Sequence, residues 1–359
     1  MTSPSDGEIV YSVSQGDQPQ FERCPGLWTV RPDGSKLRAI GPDDTLYPLP
    51  SPDGRLLAAL LEGESGPDLW ILNLRNGKVR RVLKSLDASP YIPPWYTWSP
   101  RSDALAVVRR VDGHDEIDRI DARTGATTTL VRAAKQELAY VSWSPDGTDI
   151  AYTHFDGGSA AWAVPAGGGN PRKLVDEAVA PVWSHAGTRI AFFRTRFLFE
   201  DADLFVAAAD GRHPQRLARA FNAGTTAIAW SPDDRSILFV RAARKPVDPF
   251  GKSDLYRLDV GSGKETLIAA SADVGSWSPR GDRVVFTKPI NPSVIGIYTA
   301  KPDGSDRRLI AVNDPEDVNV RSLPEWRADA GALVPPGAFA HYTARHCVHA
   351  LQALQRRLG

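Results

Sequence analysis

The sequence predicts an all-β fold, a seven-bladed β-propeller. Three observations predict it: a Trp-Ser-Pro-Asp-Gly turn recurs along the chain, an apolar strand follows each copy, and each repeat carries signals for four short strands. Tryptophans at positions 98, 143, 183, 230, 277 and 326 give steps of 45, 40, 47, 47 and 49 residues. A repeat of about 40–50 residues with four strands is typical of a propeller blade.

Each copy of the turn is expected to serve the scaffold. Its Pro and Gly favour a tight turn, and its Asp can accept a backbone N–H two residues on. We expect the Trp to lie on the innermost strand and to wedge between neighbouring blades. Clear copies begin at Ser51, Trp98, Trp143, Trp183, Trp230 and Trp277, and a weaker copy surrounds Trp326.

The two ends of the chain determine the predicted number of blades. The N-terminal segment matches the second, third and fourth strands of a blade at 7–13, 27–35 and 37–40 but lacks a first strand. Residues 322–327 supply a first strand, so one blade shared by both ends joins six complete blades and leaves two fewer exposed sheet edges. A six-bladed ring with a separate N-terminal element is the alternative.

The tail differs from the repeats. Residues 1–336 form the predicted propeller, and residues 337–359 the predicted amphipathic helix, which packs on the propeller or contacts a partner. Its apolar stripe comprises Ala344, Cys347, Leu351, Leu354 and Leu358. The two cysteines, Cys24 and Cys347, exclude a disulfide framework and leave free thiols or a single bridge open.

Composition excludes several classes of protein. The chain has 43 Lys and Arg and 43 Asp and Glu, so a globally basic nucleic-acid binder is not expected. It contains no run of about 18 apolar residues, so no membrane span is expected. The first residues lack the pattern of a signal peptide, which predicts a cytoplasmic location, or a periplasmic or secreted one if a leader has been removed.

Three segments resemble a known repeat. WSPDGTDIAYT from Trp143, LWTVRPDGSKL from Leu27 and IYTAKPDGSDRRL from Ile297 resemble the TolB-type propeller repeat, a WD40-like Pro-Asp repeat. The resemblance covers about residues 7–333. It implies a scaffold with a binding face, as in periplasmic translocation factors, propeller domains of prolyl oligopeptidase-like peptidases and sugar-acid lyases. It implies no single chemistry.

Motifs for catalysis or cofactors are missing from the sequence. It has no GxSxG nucleophile elbow, no Walker A motif and no GxGxxG after a strand. We therefore predict no cofactor and no metal site. The glycine-rich stretch 166–170 is interpreted as a hairpin turn.

One column of residues suggests a binding site. Eleven residues past five successive tryptophans stand Arg109, His154, Arg194, Arg241 and Lys288. These positions lie where the second strand of each blade ends, on the face that surrounds the mouth of a propeller channel. A partial ring of cations there would bind an anionic small molecule or an acidic protein segment. Arg196 is a further predicted contact, and Trp95 and Tyr140 are aromatic residues expected near the same mouth.

Two alternatives remain open. Acids that begin the third strands, at 115–116, 203 and 254, would form cross-strand ion pairs with Arg109, Arg194 and Arg241. The leading function is a non-enzymatic binding module for an anionic partner. The alternative, drawn from the resemblance, is a lyase-like enzyme acting on an anionic sugar, with His154 as the acid or base because imidazole titrates near neutral pH.

Overall fold

The regular structure of the described residues consists of β-strands. The computed structural model describes residues 7–13, 26–41, 45–61, 63, 66–86, 95–135, 137–195, 202–220, 228–242, 253–291, 294–313 and 325–327. They form seven antiparallel four-stranded sheets, which confirms the predicted all-β, seven-bladed propeller. The predicted helix over 337–359, its boundary with the propeller, and both cysteines lie outside the described residues. In the described ranges no helix has the length and apolar character to cross a membrane.

The chain divides into two compact units, residues 86–270 and residues 1–85 with 271–359. The middle unit holds four blades. They are blade 2 (β8 Tyr96–Trp98, β9 Ala104–Val111, β10 His114–Asp121, β11 Thr127–Arg132), blade 3 (β12 Leu138–Trp143, β13 Asp149–Phe155, β14 Ser159–Pro165, β15 Arg172–Asp176), blade 4 (β16 Ala178–Trp183, β17 Arg189–Arg194, β18 Ala202–Ala208, β19 Gln215–Ala220) and blade 5 (β20 Ile228–Trp230, β21 Ser236–Ala242, β22 Ser253–Asp259, β23 Glu265–Ala269).

The terminal unit holds three blades. They are the closure blade (β28 Glu325–Arg327, β1 Glu8–Val13, β2 Gly26–Val30, β3 Arg38–Ala39), blade 1 (β4 Thr45–Pro50, β5 Leu56–Leu61, β6 Asp68–Asn73, β7 Val79–Leu83) and blade 6 (β24 Asp273–Trp277, β25 Val284–Asn291, β26 Val294–Ala300, β27 Arg308–Asn313).

The closure blade joins the two ends of the chain. Strand β28 pairs antiparallel with β1, and Trp326 stands opposite Ile9. Arg327 is only 2% exposed: its Nε donates to the carbonyl of Gly54 at 2.8 Å, and its Nη1 lies 3.4 Å from Glu8 Oε2. The prediction of a shared blade is confirmed, and the six-bladed alternative is wrong.

The repeated tryptophans link consecutive blades within a unit. In three cases the indole N–H donates to the carbonyl of the residue that precedes the tryptophan of the previous blade. These bonds join Trp143 to Thr97 at 3.2 Å, Trp230 to Val182 at 3.1 Å and Trp326 to Ser276 at 3.2 Å. The predicted wedge between blades is confirmed at these positions.

The repeated turn is held by its own side chains. In blade 3 the Ser144 hydroxyl donates to Asp146 Oδ1 at 2.6 Å, and the same oxygen accepts the Thr148 backbone N–H at 3.0 Å. The Ser144 hydrogen bond, followed by the bonds from Thr148, holds the pKa of Asp146 below its ordinary value. Where an arginine replaces the turn Asp, an acid two residues later takes over, as with Ser99 and Asp103 at 2.6 Å.

Apolar cores fill the spaces between neighbouring blades of the middle unit. One core contains Ala151 of blade 3 with Trp183 and Phe192 of blade 4. Another contains Phe193 of blade 4 with Phe239 of blade 5. Phe192 and Phe193 are adjacent on β17 and lie in different cores, because successive residues of a strand face opposite sides of the sheet.

Candidate binding site on the second strands

The predicted column of cations occupies one position in the β-sheet register. Each member lies near the end of the second strand of its blade, opposite a residue of the third strand. The pairs are Arg109 with Glu116, His154 with Ala160, Arg194 with Asp203, Arg241 with Asp254 and Lys288 with Gly296. The first four cations belong to the middle unit and Lys288 to the terminal unit.

Two residues before each cation, most blades carry a cross-strand aromatic pair. The pairs are Tyr152 with Trp162, Phe192 with Phe205, Phe239 with Tyr256 and Phe286 with Tyr298. In the last three the rings are stacked, with centroids 5.8, 5.7 and 5.8 Å apart. Because strand residues two apart share a face, the cation is placed beside the ring pair. The column therefore has a structural origin in its own blades.

Arg241 shows this arrangement with its charge already neutralised. Its guanidinium carbon lies 4.6 Å from the ring centre of Tyr256. Nη2 binds Glu265 Oε1 at 2.7 Å, and Nε donates to the carbonyl of Arg219 at 2.7 Å. The donors of Arg241 are thus largely used within the middle unit.

Arg109 is held by acids instead of rings. Its Nη2 lies 2.9 Å from Glu116 Oε2, and its Nε donates to Asp118; these carboxylates are 1% and 0% exposed. Asp118 stands where other blades have the third-strand aromatic residue, opposite Val107. The cross-strand ion pair that the sequence offered as an alternative is confirmed for Arg109.

His154 has both an acid and a ring beside it. Its Nε2 lies 3.4 Å from Glu137 Oε2, and its ring meets the edge of Trp162 with centroids 6.1 Å apart. The imidazole is 26% exposed and lines a groove between blades 2 and 3. Glu137 would orient the imidazole if His154 acted as an acid or base.

Arg194 differs from Arg109 and Arg241. Its guanidinium carbon lies 4.4 Å from the ring centre of Phe205 and 5.7 Å from that of Phe192. The alternative ion pair with Asp203 does not form, since the Asp203 carboxylate binds Arg216 at 3.3 Å instead. Among the described residues no carboxylate pairs with Arg194, and its Nε is buried without a hydrogen-bond acceptor.

The other predicted site residues have varied surroundings. Trp95 is partly exposed just before β8, and its carbonyl accepts the Val108 N–H at 2.7 Å. Tyr140 is 7% exposed and packs in the core with Val179. Lys288 is partly exposed on β25. Arg196 lies outside the described residues. Ligand binding by all of these residues stays a prediction.

The described residues contain no group of three or more His, Cys, Asp or Glu placed to hold a metal ion.

Sequence reasoning missed the aromatic pairs that lie beside the cations. The signal was present: nine residues past four successive tryptophans stand Tyr152, Phe192, Phe239 and Phe286. Counting nine residues past each of these tryptophans, as well as eleven, would have shown that an aromatic residue stands two positions before each cation.

Seven four-stranded blades built on the repeated turn define a seven-bladed β-propeller. A family model described as the TolB beta propeller domain matches residues 125–319, which is more than half of the chain. The chain belongs to the TolB β-propeller family. No curated protein matches it in sequence.

Solved structures share the fold at low identity. TolB from Acinetobacter baumannii is 15% identical with a TM-score of 0.55, over 73% of this chain and 63% of TolB. An oligogalacturonate lyase in complex with manganese is 14% identical with a TM-score of 0.58, over 86% of both chains. The tricorn protease is 16% identical with a TM-score of 0.62, over 90% of this chain and 35% of that one. These likenesses establish the fold alone.

Proposed function

We propose that this chain is a TolB-like binding protein, not an enzyme, and that Arg194 binds a carboxylate of an anionic partner. The observation that carries the proposal is the contrast between Arg194 and Arg241, which occupy the same position in successive blades. Both guanidinium groups lie over an aromatic ring, but only Arg241 has a carboxylate partner among the described residues. Arg194 therefore retains donors for a ligand.

Stacking makes Arg194 suitable for this role. The rings of Phe192 and Phe205 restrict the guanidinium, so less side-chain entropy is lost when a ligand binds. A planar guanidinium donates two parallel hydrogen bonds to a carboxylate, which a lysine ammonium cannot do. The partner is an anionic small molecule or an acidic protein segment, because both present that group.

Binding of two acidic probes tests the proposal. Calorimetry at low ionic strength would measure the affinity of a blocked hexaglutamate peptide and of trigalacturonate for the wild-type chain. We expect at least one probe to bind, and Arg194→Gln to weaken it about tenfold or more, since a charge-assisted bond contributes about 1.5–3 kcal/mol. Arg241→Gln is the matched control and is expected to change the affinity less than threefold. No binding of either probe, or equal effects of both substitutions, would overturn the proposal.

The lyase-like alternative has one supporting observation, the His154–Glu137 contact at 3.4 Å. Elimination from trigalacturonate would produce an unsaturated sugar with ultraviolet absorbance. We expect no such product during prolonged incubation with the wild-type chain. Product that forms with the wild-type chain and is lost in His154→Gln would identify an enzyme and contradict the binding-only proposal.

A further inference from the structure

A groove of about 760 Å³ opens between blade 2 and blade 3, apart from the aromatic pair that holds Arg194. Strand β11 forms one wall and strands β13 to β15 form the other. Gly157 and Gly158, in the turn between β13 and β14, line one end and leave it open because they have no side chains. Its volume lies in the range that holds a small ligand or a short peptide segment.

The unpaired charges of this groove are negative. Its two lining cations already have partners: Arg132 binds Glu116 at 2.6 Å and Lys173 binds Asp176 at 2.9 Å. The carboxylates of Asp156 and Glu177 also line the groove, are exposed, and form no ion pair within the described residues. The groove therefore attracts a cation more than an anion.

A tyrosine with little exposed surface also lines the groove. Tyr152 lines the groove and is 1% exposed, yet its hydroxyl has no hydrogen-bond partner among the described residues. Burial raises the pKa of Tyr152 to about 12, so the phenol stays protonated at neutral pH and is available as a donor. A ligand carbonyl in the groove would accept a hydrogen bond from this hydroxyl.

The indole of Trp162 forms an aromatic wall of the groove. Lys173 Nζ lies 5.5 Å from the Trp162 ring centre, which demonstrates that a cation is accommodated over this ring. The Lys173 side chain is 48% exposed and can move aside for an incoming side chain. Cation–π attraction would add to the carboxylates in favouring a basic group.

We propose that this groove binds a basic peptide segment of a partner protein. Asp156 and Glu177 bind an arginine or lysine side chain of the segment, and the Tyr152 hydroxyl donates to one of its backbone carbonyls. A peptide suits the groove because it supplies both a cation for the carboxylates and an acceptor for the phenol. The proposal does not depend on Arg194.

Blocked hexapeptides test it: one with two arginines, and one with glutamines in their place. Calorimetry with the full chain is expected to detect the arginine peptide, with weaker binding as salt is added. The double variant Asp156→Asn, Glu177→Gln is expected to lose at least tenfold in affinity. Tyr152→Phe is expected to lose severalfold in affinity for the arginine peptide with an unchanged melting temperature, because the hydroxyl forms no hydrogen bond among the described residues.

Asp210→Asn is the matched control, because Asp210 is an exposed acid on the turn between β18 and β19, outside the groove. It is expected to leave the affinity for the arginine peptide unchanged. Equal binding of the glutamine peptide, or an unchanged affinity in the double variant, would refute the proposal. These probes are basic and those for Arg194 are acidic, so either proposal can fail alone.

Discussion

Asp234 of blade 5 holds the turn of blade 4: its Oδ2 accepts the backbone N–H of Ala186 and its Oδ1 that of His185, both at 2.7 Å. Asp234 occupies the glycine position of the repeated turn and has a left-handed φ of 58°. Most residues are strained there, whereas Gly is not. The inter-blade hydrogen bonds explain why an acid stands at this position.

Replacing Asp234 by glycine distinguishes the effect of the backbone strain on stability from the effect of these hydrogen bonds. Asp234→Gly relieves the left-handed backbone but loses the carboxylate that accepts two N–H groups. We expect the free energy of unfolding to fall by about 2 kcal/mol, because bonds to a charged group outweigh the relief. Asp234→Asn tolerates the same φ and keeps one acceptor, so it should lose about half as much. Urea denaturation measures both, and a Gly variant as stable as wild type would show that strain dominates.

The indole N–H groups of the repeated tryptophans should contribute differently to the free energy of unfolding. Trp143 donates to Thr97, whereas the buried indole nitrogen of Trp183 has no acceptor within the described residues. Both Trp→Phe substitutions remove similar apolar area. We therefore expect Trp143→Phe to cost about 1 kcal/mol more than Trp183→Phe in urea denaturation. Equal losses would mean that the bond to Thr97 contributes nothing to stability.

The ion pair between Arg109 and Asp118 should contribute more to the free energy of unfolding than the ion pair between Arg241 and Glu265. Asp118 is fully buried, so Asp118→Ala leaves Arg109 short of a partner and should cost about 3 kcal/mol or more. Glu265→Gln breaks the pair with Arg241, where the acid is 31% exposed, and should cost about 1 kcal/mol or less. Thermal and urea unfolding of the two variants test the order, and a larger loss for Glu265→Gln would contradict it.

Acid should weaken the repeated turns. The Ser144 hydroxyl, with the Thr148 bonds, lowers the pKa of Asp146 in the folded chain below its unfolded value of about 3.9. The resulting stabilisation is present above about pH 4 and is lost as the pH falls through the folded-state pKa. Asp146→Asn lacks this titration, so its deficit in urea midpoint relative to wild type should shrink between pH 6 and pH 3. A deficit that is the same at both pH values would argue against the assignment.

The fold was largely predictable because it depends on local, repeated signals. The turn needs a Pro, a Gly, and a Ser hydroxyl close in sequence to the Asp carboxylate that accepts from it. Each copy therefore predicts a hairpin without knowledge of its surroundings. The shared blade followed from counting strands at each end, and the pairing of β28 with β1 confirmed it. A helix in the tail was predicted from periodicity, but those residues lie outside the described ranges.

The candidate site was only partly predictable. Counting from the tryptophans found the positions of Arg109, Arg194 and Arg241, but it treated the three as equivalent. Their partners come from other strands: Asp118 for Arg109, and Glu265 with the Arg219 carbonyl for Arg241. Sequence spacing cannot reveal such contacts, since each depends on register and side-chain direction across neighbouring strands.

By itself, the sequence determined the all-β class, the seven blades and the strand end where the cations stand. These depend on an alternation of apolar residues every two positions and on a repeat of about 40–50 residues, and both can be read directly from the order of residues. Only the tertiary structure decided which cation lacks a carboxylate partner, and which acids lining the groove beside Tyr152 form no ion pair, within the part of the chain that is described. Those properties are set by which side chains neutralise one another, and burial and distance between strands determine that pairing.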